Sequence, residues 1–362
     1  MLITKKEELR RFSAENRHWQ GIPGIEITGQ GRLFVTFYSG GMTEEPGNFC
    51  VLITSGDGGM TWSGPVAAVY RGENFRCYDP CLWMDPLGRL WFIWSVAPEF
   101  GVWAAVCDNP DEENLKWAPP VRIGQDVMLN KPIVLTGGEW LFPIAVWRKG
   151  VEAVPGLVST EKERLSFVYR STDCGRTFER LGGADVQGRS FDEHMLLEQR
   201  DGSLRMFVRT DGIGQSFSYD GGKTWSEGSD TGFGGPCSRF HIRRLRSGNL
   251  LLINHFNYSG RNNLTAMVSE DEGKSWKGRL LLDERANVSY PDAILSKDGY
   301  IYVVYDRERG AASGGIPKEA CAREILMAKI TEEDICAGRL INTKSRLKQI
   351  VSRLGHGEEP DD

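Results

Sequence analysis

Charged and phenolic side chains recur at matching positions along this chain of 362 residues. Six glycines each separate two apolar runs, and many residues about nine positions before or seven positions after such a glycine are polar. The polar residues at these positions include Asp79, Lys131, Glu193, Arg239, Tyr290, Arg209 and Asp306. A solvent-facing ring of carboxylates, cations and a phenol has no packing purpose. Polar groups that crowd one end of a cavity are the expected place for a binding or catalytic site.

The segment 191–225 shows the repeated unit that positions these residues. Its apolar runs 195–198 and 204–208 flank a tight Asp201-Gly202 turn, which is the short-range signature of a β-hairpin. A third run ends in the pattern S-x-D-x-G-x-[TS]-[WF]. In this pattern the aspartate can accept hydrogen bonds from backbone N–H groups, and glycine supplies positive φ. The pattern occurs at residues 55–62, 171–178, 218–225 and 269–276.

The number of turn glycines indicates how many repeats the chain contains. They stand at Gly31, Gly88, Gly138, Gly202, Gly248 and Gly299. Their spacing of roughly 46 to 64 residues suits four-stranded blades. The sequence therefore predicts an all-β fold, a six-bladed β-propeller whose four-stranded antiparallel blades end near residues 62, 117, 178, 225, 276 and 330. Because each blade buries its faces only against its neighbours, residues 1–335 are expected to form one domain.

The end of the chain, residues 336–362, is predicted to hold a helix and an acidic tail. Leu347, Ile350, Val351 and Leu354 share one face at helical spacing. Ahead of them, residues 331–334 have the spacing of a capping box that opens a short helix. We expect the apolar helical face to pack on the rim of the propeller.

Composition excludes several classes of partner. The net charge is −5 and the basic residues are scattered, which gives no support to nucleic-acid binding. The first residues are charged where a signal peptide needs an apolar core, and no run approaches the length of a membrane span, so the sequence predicts a cytoplasmic protein with no membrane partner. The eight cysteines have neither metal-ligand spacing nor the density of a disulfide scaffold. We expect them to be reduced packing residues.

The four S-x-D-x-G turns are Asp boxes, and their repetition resembles the sialidase (neuraminidase) superfamily of BNR/Asp-box repeat proteins, whose fold is a six-bladed β-propeller. Sialidases bind the substrate carboxylate with three arginines. They use a tyrosine nucleophile, whose proton a glutamate accepts, and an aspartate as general acid and base. Because the anomeric carbon of sialic acid carries a carboxylate, a neutral nucleophile avoids repulsion between anions.

Individual motifs carry this resemblance. Glu193 in DEHM, followed by DGSLRMFVR ending at Arg209, is similar to the family's glutamate and second arginine. Arg261 in GRNNLTAMV looks like the third arginine, and Tyr290 in SYPDAIL looks like the nucleophile. Asp79 in YDPCLW matches an Asp-Pro pair whose aspartate lies in the substrate pocket. The resemblance thus implies that the two arginines bind a carboxylate while Glu193 deprotonates Tyr290.

The first arginine of the family is missing. It stands in an Arg-Ile-Pro triplet, and the corresponding triplet here is Gly21-Ile22-Pro23. Arg239, Lys131 or Arg76 could supply the charge from another blade, although none is at the family's position. Asp306 joins these residues as a candidate for substrate binding, because it falls at the level of the polar ring.

The acid/base residue also departs from the pattern. The loop SGGMTEEPGN carries Glu44 and Glu45 about where the family has its aspartate. Either glutamate can protonate a leaving oxygen if burial raises its pKa. The sequence does not choose between them.

The leading hypothesis is therefore a sialidase-like exo-glycosidase that hydrolyses a terminal acidic sugar, such as sialic acid, and needs no metal or organic cofactor. Its partner would be a small acidic saccharide. One alternative is a hydrolase or lyase for another acidic sugar, such as a uronic acid, because the carboxylate-binding set is altered. A second alternative is a non-catalytic glycan-binding propeller. With Gly21 in place of arginine, we expect weak or no activity on ordinary sialosides.

Overall fold

The β-hairpin is the unit from which the fold is built. The computed structural model describes residues 1–99, 101–147, 163–310 and 321–355. Each of the six turn glycines adopts the positive φ that a tight hairpin requires, between 79° at Gly88 and 92° at Gly31. The apolar runs on either side of each glycine pair as antiparallel strands.

The strands form six antiparallel sheets in chain order. Blade one contains β1 (Leu2–Ile3), β2 (Trp19–Ile27), β3 (Leu33–Gly40), β4 (Phe49–Ser55) and β5 (Ala67–Val69). Blade two contains β6 (Arg76–Met84), β7 (Leu90–Ala97), β8 (Gly101–Cys107) and β9 (Val121–Gln125). Blade three contains β10 (Ile133–Val134), β11 (Trp140–Ala145), β12 (Ser166–Ser171) and β13 (Glu179–Ala184).

The second half of the chain repeats this arrangement. Blade four contains β14 (Met195–Glu198), β15 (Leu204–Thr210), β16 (Gly212–Ser218) and β17 (Ser229–Asp230). Blade five contains β18 (His241–Arg244), β19 (Leu250–His255), β20 (Leu264–Ser269) and β21 (Lys277–Asp283). Blade six contains β22 (Val288–Leu295), β23 (Ile301–Arg307), β24 (Glu324–Ile330) and β25 (Arg346–Arg353). The α-helices of the described ranges are α1 (Lys6–Leu9) and α2 (Glu332–Ala337), and neither is long enough to cross a membrane.

The predicted six-bladed fold is confirmed, with four strands in each blade and β1 as an additional outer strand in blade one. The predicted blade ends were too early. In blades one, three, four and five the fourth strand follows the Asp box, and β9 follows residue 117 in the same way.

The predicted C-terminal helix is wrong, because residues 346–353 form β25, the outer strand of blade six. The register between β24 and β25 shifts twice, and Lys348 adopts a positive φ of 56°. These bulges move Val351 and the following Leu354 into the core and leave Ile350 exposed, so the apolar residues are not spaced by two as in a regular strand. The capping box is confirmed, since Thr331 and Asp334 cap α2 reciprocally. The acidic tail at 356–362 lies outside the described residues.

The Asp boxes lie at the hairpin end of the blades. In the box at 218–225, Asp220 accepts hydrogen bonds from the backbone N–H groups of Lys223 and Thr224, at 3.0 and 2.9 Å, and from the Thr224 hydroxyl at 2.6 Å. The first residue of each box is the last residue of a third strand. It pairs with the first residue of the second strand, as Ser218 pairs with Leu204. The boxes are therefore remote from the end at which the second strands finish.

Three of the innermost strands carry a bulge in front of a proline. The pairing register is interrupted in β2, β6 and β22. The residues before the prolines, Ile22, Asp79 and Tyr290, adopt positive φ values of 56°, 47° and 55°. A bulge turns a side chain out of the regular alternation of a strand, and strained backbone of this kind clusters at functional sites. Asp79 and Tyr290 thus leave the alternation at equivalent positions of their blades.

A buried polar cluster, here called the axial hub, joins the blades near the axis. It consists of the buried residues Asn130, Arg239 and Asp292 and of Lys131, whose side chain is 10% exposed. Lys131 Nζ lies 3.0 Å from Asp292 Oδ2, and Arg239 Nε donates to Asn130 Oδ1 at 2.6 Å. The hub also binds backbone oxygens of Pro23, Ile25, Leu82 and Glu193. Together these contacts reach all six blades, so the hub closes the channel in its middle.

Candidate active site

Tyr290, Glu193 and Arg209 meet at the end of the axis opposite the Asp boxes. Tyr290 Oη donates a hydrogen bond to Glu193 Oε1 at 2.7 Å. Arg209 Nη1 donates to the same glutamate oxygen at 2.7 Å and to Tyr290 Oη at 2.9 Å. The residues come from β22, from the segment before β14 and from the end of β15. Glu193 is therefore within the hydrogen-bond reach that a base for Tyr290 requires.

The phenol of Tyr290 is protonated at neutral pH. Burial raises its pKa above the usual range, against the opposing effect of Arg209. A protonated phenol is a weak nucleophile, so it needs a base within hydrogen-bond reach. Glu193 Oε1 is in that position. Its other oxygen, Oε2, is buried without a hydrogen-bond partner among the described residues.

Arg261 adds a second guanidinium to this pocket. Its Cζ atom lies 5.5 Å from the centre of the Tyr290 ring, and its Nη2 atom donates to Cys237 O, which also accepts from Arg209. It forms no ion pair with a carboxylate within the described ranges. Burial lowers the pKa of Arg261, and the neighbouring Arg309 and Arg209 lower it further. Arg261 is only partly exposed, and cations shielded from water are normally paired, so this arrangement favours an anionic ligand.

Arg309 is a third guanidinium in the pocket, and no sequence pattern predicted it there. Its Cζ atom lies 4.2 Å from the centre of the Tyr290 ring. Its side chain passes directly over Gly21, where an added Cβ atom would stand 2.5 Å from Arg309 Cδ. Gly21 was the one indication in the sequence, because a glycine at the family's arginine position leaves space that a side chain from another blade can fill.

The loop after β3 brings Glu44 into the pocket but not Glu45. Glu44 accepts hydrogen bonds from Arg76 Nη2 at 2.7 Å and from Arg309 Nη1 at 3.2 Å, and its side chain is 36% exposed. Burial would raise the pKa of Glu44, but Arg76 and Arg309 outweigh it and the pKa is lowered. Glu45 Oε1 instead accepts the backbone N–H of Met42 at 2.6 Å. Of the two predicted acid/base candidates, Glu44 is the one that touches the pocket arginines.

Asp79 lies in the pocket wall with its carboxyl buried. Burial raises the pKa of Asp79 to about 7, and the carboxylates of Glu193 and Glu44 act in the same direction against Arg76. The carboxyl therefore carries a proton in much of the population near neutral pH. A protonated carboxyl can donate to a ligand oxygen.

Three predicted substrate-binding residues bind other groups of the fold instead, namely Arg239, Lys131 and Asp306. Arg239 and Lys131 donate to groups of the axial hub, and Lys131 lines a cavity of about 730 Å³ on the hairpin side of the hub. Asp306 is fully buried and accepts from Arg309 Nε at 2.8 Å and from the backbone N–H of Ile22 at 2.7 Å. Their polar atoms are used within the fold, which corrects the expectation.

The histidines near the axis do not form a metal centre. His255 Nδ1 contacts Asn262 O at 2.7 Å, and His241 Nδ1 lies 3.2 Å from Asp292. Burial lowers the pKa of both rings to about 4, so they are neutral at pH 7. Across the part of the chain that the structure describes, no three His, Cys, Asp or Glu side chains are grouped to hold a metal ion.

Comparison with solved structures identifies the class of fold. A leech intramolecular trans-sialidase complexed with 2,7-anhydro-Neu5Ac superposes with a TM-score of 0.69 at 14% identity, over 90% of this chain and 70% of that one. A Hadza microbial sialidase gives 0.65 at 16% identity, over 89% and 67%. A Dyadobacter fermentans protein of unknown function gives 0.64 at 18% identity, over 83% and 92%. At these identities the likeness shows the fold alone.

The family follows from the sequence itself. The model of the BNR repeat-like domain matches residues 31–303. The chain belongs to this family, and the predicted resemblance to the sialidase superfamily is confirmed by the family and the fold. No curated protein sequence matches the chain.

Proposed function

We propose that the protein is an exo-glycosidase that hydrolyses a terminal acidic sugar through Tyr290, with sialic acid or a related keto acid sugar as substrate. The observation that carries this proposal is the 2.7 Å hydrogen bond from Tyr290 Oη to Glu193 Oε1 beside Arg209. Guanidinium groups of Arg209 and Arg261 would bind a carboxylate next to the anomeric carbon. A neutral phenol can approach such a carbon without repulsion between anions.

The proposed reaction has two displacements. In the first, Tyr290 Oη bonds to the anomeric carbon, its proton passes to Glu193, and the bond to the leaving oxygen breaks as Glu44 protonates that oxygen. In the second, water attacks the anomeric carbon, Glu44 accepts a proton from the water, and Tyr290 leaves and regains its proton from Glu193. Two inversions at one carbon give net retention of configuration.

Glu44 must be protonated to start this cycle. Its pKa is lowered while it binds Arg76 and Arg309. We propose that the ligand carboxylate replaces Glu44 on the pocket arginines, which removes part of the interaction that keeps Glu44 ionised. Asp79 is the second candidate for the acid, because its pKa of about 7 lets it carry a proton without such a rearrangement.

Replacement of Tyr290 tests the mechanism. Tyr290→Phe should reduce kcat on a chromogenic sialoside by at least about 100-fold, because it removes the nucleophile, while binding of the dehydrated sialic acid changes little. Tyr219→Phe, at a tyrosine that is 80% exposed, is the matched control and should retain full activity. Turnover undiminished in Tyr290→Phe would eliminate the covalent mechanism. A parallel panel of uronides decides whether another acidic sugar is the substrate.

A glycan-binding protein without turnover is the second candidate function. The specific observation in its favour is Glu44, which the two arginines hold in its ionised form. Binding of acidic sugars with no hydrolysis across the panel would establish this alternative. The cytoplasmic location and the small acidic saccharide partner stay predictions.

A further inference from the structure

We infer that Arg309 is the third anion-binding arm of the pocket, and that position 21 is glycine because the Arg309 side chain fills the space that a side chain there would occupy. The inference rests on the proposed function and adds a residue from blade six to its carboxylate-binding set. It also explains how a pocket without an arginine in the Gly21-Ile22-Pro23 triplet can still present three guanidinium groups to one ligand.

The aliphatic part of Arg309 lies against the backbone of β2. A Cβ atom added to Gly21 would stand 2.5 Å from Arg309 Cδ and 2.7 Å from Arg309 Cγ. Favourable contacts between carbon atoms are about 3.5–4.0 Å. Any side chain at position 21 therefore displaces Arg309 as it now stands, so the two positions depend on each other.

Contacts within blade six hold the guanidinium in place. Arg309 Nε donates to Asp306 Oδ2 at 2.8 Å, and Nη2 donates to Ser289 Oγ at 3.0 Å. The same Asp306 oxygen accepts the backbone N–H of Ile22, which ties Arg309 to the glycine triplet. This arrangement fixes the guanidinium over the Tyr290 ring.

One corner of the Arg309 guanidinium is available for exchange. Nη1 binds Glu44 at 3.2 Å, its longest contact, and Glu44 comes from a partly exposed loop. A ligand carboxylate could take the place of this oxygen. Arg76 is less well placed to be the third arm, because its guanidinium lies over the rings of Tyr38 and Tyr78 and not over that of Tyr290.

The three guanidinium groups then approach Tyr290 from three successive blades. Arg209 ends the second strand of blade four, Arg261 precedes the third strand of blade five, and Arg309 follows the second strand of blade six. All three act on the pKa of Tyr290 in the same direction. A carboxylate on the anomeric carbon held above Tyr290 is within the common field of these cations.

Calorimetric titration at pH 7 with 2,3-dehydrated sialic acid and its methyl ester tests the inference. The wild type should prefer the acid to the ester. Arg309→Ala should weaken acid binding by about tenfold or more, because it removes a charge-assisted contact, and should leave ester binding nearly unchanged. The double variant Gly21→Arg with Arg309→Ala, which moves the arginine to β2, should restore the preference for the acid.

Gly21→Ala provides a test that keeps the charge. The added methyl group displaces Arg309, so acid binding should fall while Arg309 and its partner Asp306 both remain. Gly64→Ala is the matched control, because an added Cβ atom there meets nothing within 4 Å, and it should bind as the wild type does. This pair decides the question if Arg309→Ala fails to fold after leaving Asp306 buried without its partner.

An unchanged preference for the acid in Arg309→Ala or Gly21→Ala would overturn the inference, and so would a wild type that binds acid and ester equally or binds neither. Hydrolysis of a chromogenic sialoside by the same samples separates it from the proposed function. If binding of the acid depends on Arg309 and no sialoside is hydrolysed, the result contradicts the hydrolase and supports Arg309 as the third arm. If the sialoside is hydrolysed but binding of the acid does not depend on Arg309, the result contradicts the third arm and supports the hydrolase.

Discussion

Burial sets the charge of the groups around Tyr290 more strongly than any single neighbour does. It is the largest effect on the pKa of Tyr290, Asp79 and His255, and in each case it favours the neutral form. The guanidiniums stay charged, and Arg76 and Arg309 hold the pKa of Glu44 below its usual range. The pocket therefore combines neutral proton donors with fixed cations, which suits a ligand that brings its own negative charge.

The pH dependence of stability should reveal the proton on Asp79. The folded-state pKa is about 7 and the ordinary value is 3.8, so this group's contribution to stability is fully present below pH 3.8 and is lost as pH rises through 7. Asp79→Asn removes this dependence. The Tm difference, variant minus wild type, should increase between pH 5 and pH 8. The increase corresponds to at most about 1.4 kcal/mol of unfolding free energy per pKa unit.

Exposed Asp211→Asn serves as the control for that measurement, and its Tm difference from the wild type should not change with pH. A difference between Asp79→Asn and wild type that is the same at pH 5 and pH 8 would mean that Asp79 is ionised throughout. In that case Glu44 would be left as the acid candidate.

At the scale of the element, the Asp boxes act as local staples between third and fourth strands. The hydrogen bond from Thr224, with the other donors of its turn, lowers the pKa of Asp220 to about 2. The stability that this carboxylate contributes is present above pH 3.8 and is lost as pH falls through 2. The boxes therefore stabilise the blades at every pH at which the fold is expected to operate.

Asp220→Asn should lower the Tm by a few degrees at pH 7, because an amide nitrogen cannot accept the Thr224 hydroxyl. The difference from the wild type should shrink as the pH falls from 4 towards 2. Thermal unfolding over this range measures it, with the exposed Glu227→Gln as control. A difference that persists at pH 2 would show that the box acts through packing and not through its charge.

Elements that depend on short-range patterns were predictable from the sequence. A turn glycine or an Asp box is specified by a few adjacent residues, and Glu193, Arg209 and Tyr290 stand at fixed distances from such turns. β25 was mistaken for a helix because bulges gave its apolar residues a helical spacing. Arg309 was missed because it follows β23 in a loop, where Glu308 adopts a positive φ of 47° and nothing in the nearby sequence specifies the direction of the chain.

At the scale of the whole molecule, the axial hub joins blades that otherwise contact only their neighbours. Burial alone would raise the pKa of Asp292, but Lys131, His241 and Arg239 hold it well below its usual range. The carboxylate is thus an anion surrounded by cations from blades three and five. Removal of Asp292 takes away the carboxylate that pairs with Arg239, and it leaves Lys131 with only the longer ion pair to Glu26 at 3.5 Å.

Asp292→Ala should therefore reduce the free energy of unfolding by about 3–5 kcal/mol, the usual cost of breaking a buried ion pair from one side. Urea denaturation followed by tryptophan fluorescence measures the loss. Asp108→Ala, at an exposed aspartate, should change it by less than about 0.5 kcal/mol. A loss below about 1 kcal/mol for Asp292→Ala would show that the hub does not hold the blades together.

The hub also gives the pocket a closed floor. Asn130, Arg239 and Asp292 are at most 2% exposed, so their side chains are closely packed between Tyr290 and the far cavity. For the proposed glycosidase, this arrangement means that a polysaccharide would not pass through the axis and that only its last sugar would reach the phenol. If Tyr290 carries that sugar, the departing alcohol and any acceptor both use the side of Tyr290 that faces away from the hub. The alcohol must then leave before an acceptor binds, and water competes with any other hydroxyl compound that approaches from the same side.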